Sequence, residues 1–369
     1  KCMKNHNHKK IQLAVLFGGK SAEHEVSVQS ARNIVEALNK RKYDITLIGI
    51  DKTGAWQTFS APQLSSAKKI TSSENKAGPS AIIPYSAGGK FLANTKKNIK
   101  KIDVVFPVLH GPFGEDGTVQ GLLKLANVPF VGASILASAA GMDKDMAKKI
   151  WRDAGLPIAR FLTFKKHEIK SIIFEKVKQN LGLPLFVKPA NLGSSVGITK
   201  AHNRSEFMAA LKTAFLYDHK IIIEEYINGR EIECAILGNE KPIASVCGEI
   251  ILRHEFYSYK AKYLDENGAR LSIPAKLPER VSKKIQELAL KAFIVLNCEG
   301  LARVDFFVTA DEKIFINEIN TMPGFTSISM YPKLWQASGL SYGKLIDTLI
   351  KLAIERFNKE QKLCTSFLN

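Results

Sequence analysis

Ala302-Arg-Val-Asp-Phe-Phe-Val308, the turn residues Ala310-Asp-Glu312 and Lys313-Ile-Phe-Ile-Asn-Glu-Ile319 read as one hairpin of two alternating strands. Alternation puts Arg303, Asp305 and Phe307 on one face of the first strand, and Glu318 and Asn320 on one face of the second. Across the hairpin these become two carboxylates and an amide oxygen beside an arginine. Such an all-oxygen set suits Mg²⁺ or Mn²⁺, with phosphate oxygens as further ligands. The plain alternative is a solvated strand face with a salt bridge. Phe306, Ile314, Ile316 and Ile319 make the opposite face a core face.

Upstream, Phe186-Val-Lys188-Pro189 is a strand that ends in lysine and runs into Asn191-Leu-Gly193-Ser194-Ser195-Val-Gly197. Small residues there offer backbone N–H groups and hydroxyls to a phosphate chain. A bare Gly/Ser turn is the alternative, and neither P-loop nor G-x-G-x-x-G spacing is present. Ile221-Ile-Ile-Glu224-Glu225-Tyr226-Ile227 is an apolar strand that breaks at Asn228-Gly229. Its backbone is then free to read an adenine edge, with Glu231 placed for ribose hydroxyls; otherwise it is an edge strand with exposed acids. Tyrosines and lysines interleave over residues 256–264. That stretch is a candidate lid, and its rival reading is stacking on single-stranded nucleic acid.

The first third alternates strand and helix. Residues 11–17 form an apolar run that stops at Gly18-Gly19, as a buried parallel strand does. Val28, Ala31, Ile34, Val35 and Leu38 follow at helical spacing, with Ser27 as the expected N-cap. Strands are expected at 44–50, 102–108 and 128–131 and a helix at 117–126, which together make an open, mostly parallel sheet. Residues 56–101 interrupt it as a turn-rich surface insertion. The loops 18–27 and 109–117 then flank one crevice at the carboxyl ends of the strands. His24, within the first loop, reads as an ordinary surface residue.

From Ala133 onward the pattern becomes α+β. Helices are expected at 143–154, 205–215, 278–296 and 342–359, with strands at 185–187 and 221–225. The domains expected are 1–132, 133–224 and 225–369.

Composition bounds the function. The 369 residues carry 53 Lys+Arg and 35 Asp+Glu, a net charge of +18. Residues 1–101 hold 18 basic and 6 acidic side chains, so most of the excess lies in a tail and an insertion rather than on one helix face. Solvated surface charge explains this better than a nucleic-acid footprint. No stretch approaches the roughly 18–20 apolar residues of a membrane helix. Five scattered cysteines suggest neither a disulfide framework nor a zinc site, and Cys234 and Cys247 are expected to be inert core residues. The basic start followed by residues 11–17 lacks a cleavage site, so the chain is expected in the cytoplasm.

Taken in order, a set of motifs from Leu13 to about Leu340 resembles the D-alanine–D-alanine ligases. The N-terminal carriers are Phe17-Gly-Gly-Lys-Ser-Ala-Glu-His-Glu-Val-Ser27, His110-Gly111…Gly114-Glu-Asp-Gly117 and Met142-Asp-Lys144. Lys188-Pro189, Gly193-Ser-Ser-Val-Gly197, Ala261-Lys-Tyr263, Arg303-Val-Asp305 and Asn317-Glu-Ile-Asn-Thr-Met-Pro-Gly324 continue the set. The resemblance implies an ATP-grasp fold, α/β and α+β, behind a Rossmann-like domain with an open parallel sheet. It also implies ATP-dependent ligation of two D-alanines through an acyl phosphate for peptidoglycan precursors, by a homodimer that engages neither nucleic acid nor membrane.

The same resemblance implies residue roles. Lys144 and Lys188 would hold ATP phosphates beneath the loop of Ser194 and Ser195. Glu224, Glu225 and Ile227 would line the adenine site, Phe307 would pack on the ring, and Glu231 would bind ribose. Asp305, Glu318 and Asn320 would hold two Mg²⁺ or Mn²⁺ ions. Glu23 and His110 would serve the first D-alanine, and Lys262 and Ser329 the carboxylate of the second. Arg303 and the Gly324 N–H would form the oxyanion site. Tyr263 would close the pocket and favour D-alanine over acceptors such as D-lactate or D-serine. Many relatives carry lysine at the position of Glu225.

Overall fold

The computed structural model of the chain describes residues 10–70, 82–85, 90–94, 99–252 and 269–364. The chain begins β1 (Ile11–Gly18), α1 (His24–Ala37), β2 (Tyr43–Ile50), β3 (Trp56–Phe59) and α2 (Ala61–Ser66). Next come β4 (Ile82–Tyr85), β5 (Lys90–Asn94), β6 (Ile99–Ile102) and β7 (Val104–Val108). One sheet runs β3-β2-β1-β7, with β1 parallel to both β2 and β7 and β3 antiparallel at the edge. Leu13, Ala14, Val15, Leu16 and Phe17 are wholly buried, because elements cover both faces of the central strand.

Four expectations change here. The insertion expected as turn-rich supplies β3, α2 and the antiparallel sheet β4-β5-β6. Its strands have only four or five residues, too few for a periodicity to show. The strand expected over 102–108 is cut at Asp103, which turns aside to accept from the Gln12 N–H at 2.9 Å. Residues 128–131 form only a parallel bridge, between Val105 and Phe130. Helix α1 starts at His24, so Ser27 lies within it; its hydroxyl instead accepts from the Gly18 N–H at 2.8 Å.

The middle of the chain contains α3 (Thr118–Leu125), α4 (Ile135–Met142), α5 (Lys144–Asp153), β8 (Phe161–Lys165) and α6 (Phe174–Leu181). It continues with β9 (Leu185–Pro189), β10 (Thr199–Ala201), α7 (Arg204–Tyr217) and β11 (Lys220–Glu225). Strands β10-β9-β11-β8 form an antiparallel sheet over a core that includes Phe174, Phe207, Leu211 and Ile221.

The last part holds β12 (Gly229–Gly238), β13 (Ile243–Leu252), β14 (Ala269–Ser272), α8 (Glu279–Val295), β15 (Gly300–Thr309) and β16 (Ile314–Asn320). It ends with α9 (Met330–Ala337) and α10 (Tyr342–Glu360). The expected hairpin is the β15–β16 end of the five-stranded sheet β14-β13-β12-β15-β16. Cys234 and Cys247 are buried and free, as expected.

One core joins the first and last parts, and this joint positions the site. Phe325, in the loop after β16, packs edge-on against Phe106 of β7 at 5.7 Å and at a tilt against Tyr331 of α9 at 5.6 Å. All three are essentially unexposed, and burying each such ring stabilises by about 1.5–3 kcal/mol. From α10, the buried Arg356 donates to Gly132 O at 2.6 Å and Phe130 O at 2.9 Å and lies over the Phe130 ring. The loop 321–329 is thereby wedged onto the carboxyl end of the parallel sheet.

Candidate active site

Hairpin β15–β16 pairs Arg303 with Asn320 and Asp305 with Glu318, the juxtaposition that strand alternation predicts. Arg303 meets Asp305 in a two-pronged pair, Nε to Oδ1 and Nη2 to Oδ2, both at 2.7 Å. The Arg303 Nε also lies 2.9 Å from Glu233 Oε2 on β12. Asn320 donates to Asp305 Oδ2 at 3.0 Å. Burial works against the Arg303 charge, yet Asp305 and Glu233 outweigh it and hold the guanidinium pKa well above its usual value.

Helix α5 carries two lysines toward the same region. Its N-cap, Asp143, accepts from the backbone N–H groups of Asp145 and Met146, which sets Lys144 at the first helical position. The Lys144 ammonium donates to Leu192 O at 2.6 Å and lies 3.5 Å from Glu318 Oε2. Lys148 follows one turn later on the same face. Its Nζ is 2.8 Å from Glu224 Oε1, while Lys188 pairs with Glu224 Oε2. All three groups are buried. Burial alone would raise the Glu224 pKa, but the two ammonium groups overcome it and bring it down to about 2. Glu225 faces outward, accepting from the Arg160 N–H at 2.7 Å and Nε–H at 2.6 Å.

The loop after β9 holds Ser194 and Ser195 at φ of +54° and +57°, a left-handed conformation rare for residues with a Cβ. That backbone turns the Ser194 hydroxyl onto Glu23 Oε1, linking the central module to the N-terminal loop. A Cβ on Gly193 or Gly111 would come within 3.4 Å or 3.0 Å of the other Glu23 oxygen. At Gly111 the contact is tight and φ is +73°, so that position favours glycine, whereas at Gly193 the contact is an ordinary one. Behind Glu23, the Glu115 carboxyl accepts from the Gly111 N–H at 2.9 Å. Burial, and then the Glu23 charge, push its pKa up to about 8.

Two cavities adjoin at these residues. The larger, of about 530 Å³, is lined by Glu23, His110, Glu115, Lys144, Gly324 and Ser329 among others. The smaller, of about 220 Å³, is lined by Lys148, Lys188, Ser195, Glu224, Glu225, Ile227, Glu231 and Phe307 among others. Ser194, Arg303 and Glu318 belong to both walls, and Asp305 and Asn320 to one each. Nearly every residue singled out from the sequence therefore faces one of two connected spaces. Lys262 and Tyr263, with the rest of 253–268, lie outside the described residues.

Particular placements sharpen the expectations. His110 lines the larger cavity, but its Nδ1 donates to Met322 O at 3.0 Å and its Nε2 is 3.4 Å from Ser30 Oγ. Burial lowers its pKa, so the ring is a neutral joint between the N-terminal domain and the loop after β16. His24, expected on the surface, is wholly buried. Sequence reading missed Lys148, Glu233 and Glu115. Lys148 was legible as the i+4 partner of Lys144, and Glu233 as the next same-face residue after Glu231. Glu115 stands inside a quoted motif, but nothing in its spacing tells that it is half-buried in the cavity wall.

Comparison with known proteins gives a consistent result. Residues 12–133 match the family model described as D-ala D-ala ligase N-terminus, and residues 150–351 match the D-ala D-ala ligase C-terminus. The chain is 54% identical over 362 residues to a D-alanine–D-alanine ligase of Oceanobacillus iheyensis, covering 97% of this chain and 99% of that one. Its fold is similar to the structure of the D-alanine-D-alanine ligase from Coxiella burnetii, with TM-score 0.86, 42% identity and 96% of each chain covered. It is also similar to the VanG D-Ala:D-Ser ligase of Enterococcus faecalis, with TM-score 0.82, 39% identity, and 94% of this chain and 100% of that one covered.

Proposed function

The chain belongs to the D-alanine–D-alanine ligase family, and from that membership and the geometry above we propose how its own residues carry the reaction. The protein is an ATP-dependent ligase with an ATP-grasp fold behind an open, mostly parallel sheet. It joins two D-alanine molecules into D-alanyl-D-alanine for peptidoglycan synthesis. The observation that carries the assignment of roles is the common wall of the two cavities. A nucleotide in the smaller and an amino acid in the larger would meet at Arg303, Glu318 and Ser194.

A carboxylate is a poor acyl donor because its oxygen leaves badly. In the first step a carboxylate oxygen of one D-alanine attacks the γ-phosphorus of ATP, and the bond to ADP breaks. In the second, the amine of the other D-alanine attacks the acyl carbon, and phosphate leaves. Positioning and charge neutralisation are what the protein must supply. Lys144 and Lys188 face the phosphates beneath Ser194 and Ser195. Lys148 holds Glu224 so that the Lys188 ammonium has a fixed place. Glu23 receives the ammonium of the first D-alanine, which also relieves the crowding of Glu23 against Glu115. Arg303 and the Gly324 N–H stabilise the oxyanion that develops at the acyl carbon. Glu225, Ile227 and Phe307 line the adenine end, Glu231 meets the ribose, and Ser329 with Lys262 receives the second carboxylate.

Asp305, Glu318 and Asn320 offer oxygen atoms on one hairpin face, a donor set that fits Mg²⁺ or Mn²⁺. Among the described residues no three or more His, Cys, Asp and Glu side chains converge to hold a metal alone. The fit is therefore to ions that arrive with phosphate oxygens. When bound, such ions offset charge on the transferring phosphoryl group.

The domains proposed are 1–132, 133–224 and 225–369, and the protein is proposed to act as a cytoplasmic homodimer. Among the described residues no helix is long and apolar enough to cross a membrane. The roles are tested by Asp305→Ala and Glu318→Ala, each of which should abolish D-alanine-dependent phosphate release from ATP. Full activity in either variant overturns the metal assignment.

A further inference from the structure

We propose that His24 is a positioning residue for the first-substrate end of the site, fixing loop 18–23 as a neutral imidazole that carries its proton on Nδ1. His24 opens α1 and is wholly buried. Its Nδ1 lies 2.8 Å from Gly19 O, and its Nε2 lies 3.0 Å from the backbone nitrogen of Ile70. A backbone N–H only donates, so Nε2 must accept; a carbonyl only accepts, so Nδ1 must hold the proton. One protonation state satisfies both bonds. The other tautomer, or the imidazolium, sets an N–H against the Ile70 N–H.

These two bonds matter because of what they hold. The loop is otherwise fixed by the Gly18 N–H on Ser27 Oγ at 2.8 Å and the Gly19 N–H on Ile50 O at 2.7 Å. His24 ties down the Gly19 carbonyl and packs against Gly18, where an added Cβ would come 3.1 Å from the imidazole Cε1. Its chain neighbour is Glu23, whose carboxylate accepts from Ser194 and lines the larger cavity. Through Ile70 the same ring joins the segment after α2 to the substrate loop, so the insertion has a direct hydrogen-bonded link to the site. The inference rests on the reading that Glu23 receives the ammonium of the first D-alanine.

The first test needs no variant. Long-range ¹H–¹⁵N NMR of the wild-type enzyme labelled at histidine, with the His24→Phe spectrum for assignment, should show neutral His24 protonated on Nδ1 at neutral pH. An Nε2–H tautomer or an imidazolium there overturns the proposal. The second test is kinetic. His24→Phe keeps the ring shape and removes both bonds, and should raise the first-site D-alanine KM about tenfold. The ATP KM and kcat should move much less, and His24→Asn, which keeps a donor for Gly19 O, should recover part of the loss. An unchanged first-site KM, or equal losses in all three constants, contradicts a positioning role. Glu23→Gln is measured in parallel. If it leaves the first-site KM unchanged, the Glu23 reading fails, and the tautomer still decides the state of His24.

Discussion

Lys148 Nζ and Glu224 Oε1 are 2.8 Å apart and almost wholly shielded from water, with the other Glu224 oxygen committed to Lys188. The pair is a fixed internal support for a lysine that lines the smaller cavity. Removing one partner of a buried ion pair costs about 3–5 kcal/mol, because the remaining charge is left uncompensated. Glu224→Gln, which leaves both ammonium groups without their shared acid, should lower the unfolding free energy by that amount in urea titrations and weaken ATP binding. Lys148→Met leaves the Glu224–Lys188 pair in place and should cost clearly less stability than Glu224→Gln.

Two carboxyls, the buried Glu224 and the half-buried Glu115, should respond to pH in opposite directions. Glu224 has its pKa depressed from about 4.5 to about 2, so its contribution is fully present above pH 4.5 and is lost as pH falls toward 2. Glu115 has its pKa raised from about 4.5 to about 8, so the folded state holds an extra proton between those values and stability falls as pH rises through the window. Glu115→Gln should therefore gain in melting temperature relative to wild type from pH 4.5 to 8, whereas Glu224→Gln should lose most above pH 4.5. Parallel melting curves across pH check both signs.

Arg303 grips Asp305 with two parallel bonds and reaches Glu233 with the same Nε. A lysine keeps the charge but not the fork. Arg303→Lys should lower kcat by about 10²–10³-fold, the usual cost of losing one preorganised donor to a developing oxyanion. A loss confined to the D-alanine KM would show that Arg303 binds substrate without stabilising the transition state.

How much of this was legible in the sequence depended on what each signal was made of. The β15–β16 hairpin was readable to the pairing of Asp305 with Glu318, because a two-residue period and a short turn leave little freedom in register. The Gly193 to Gly197 stretch was readable as a loop of small residues from composition, but not its junction with Glu23. That contact spans 171 residues of chain and depends on how two modules dock. His24 was misread for the same reason: its partner Ile70 lies 46 residues away, in a segment whose strands are too short to announce themselves. Glu224 and Glu225 looked alike as adjacent acids. Strand alternation sends one inward to two lysines and the other outward to Arg160.

The ligase function itself is tested most directly by ADP release from ATP with D-alanine, D-serine, D-lactate and L-alanine offered in turn, followed by identification of the product. ADP release that requires D-alanine and yields D-alanyl-D-alanine is the expected result, with L-alanine at background and D-serine and D-lactate poor as second substrates. Release that is indifferent to D-alanine, or a mixed product whenever D-serine or D-lactate is present at equal concentration, would contradict it.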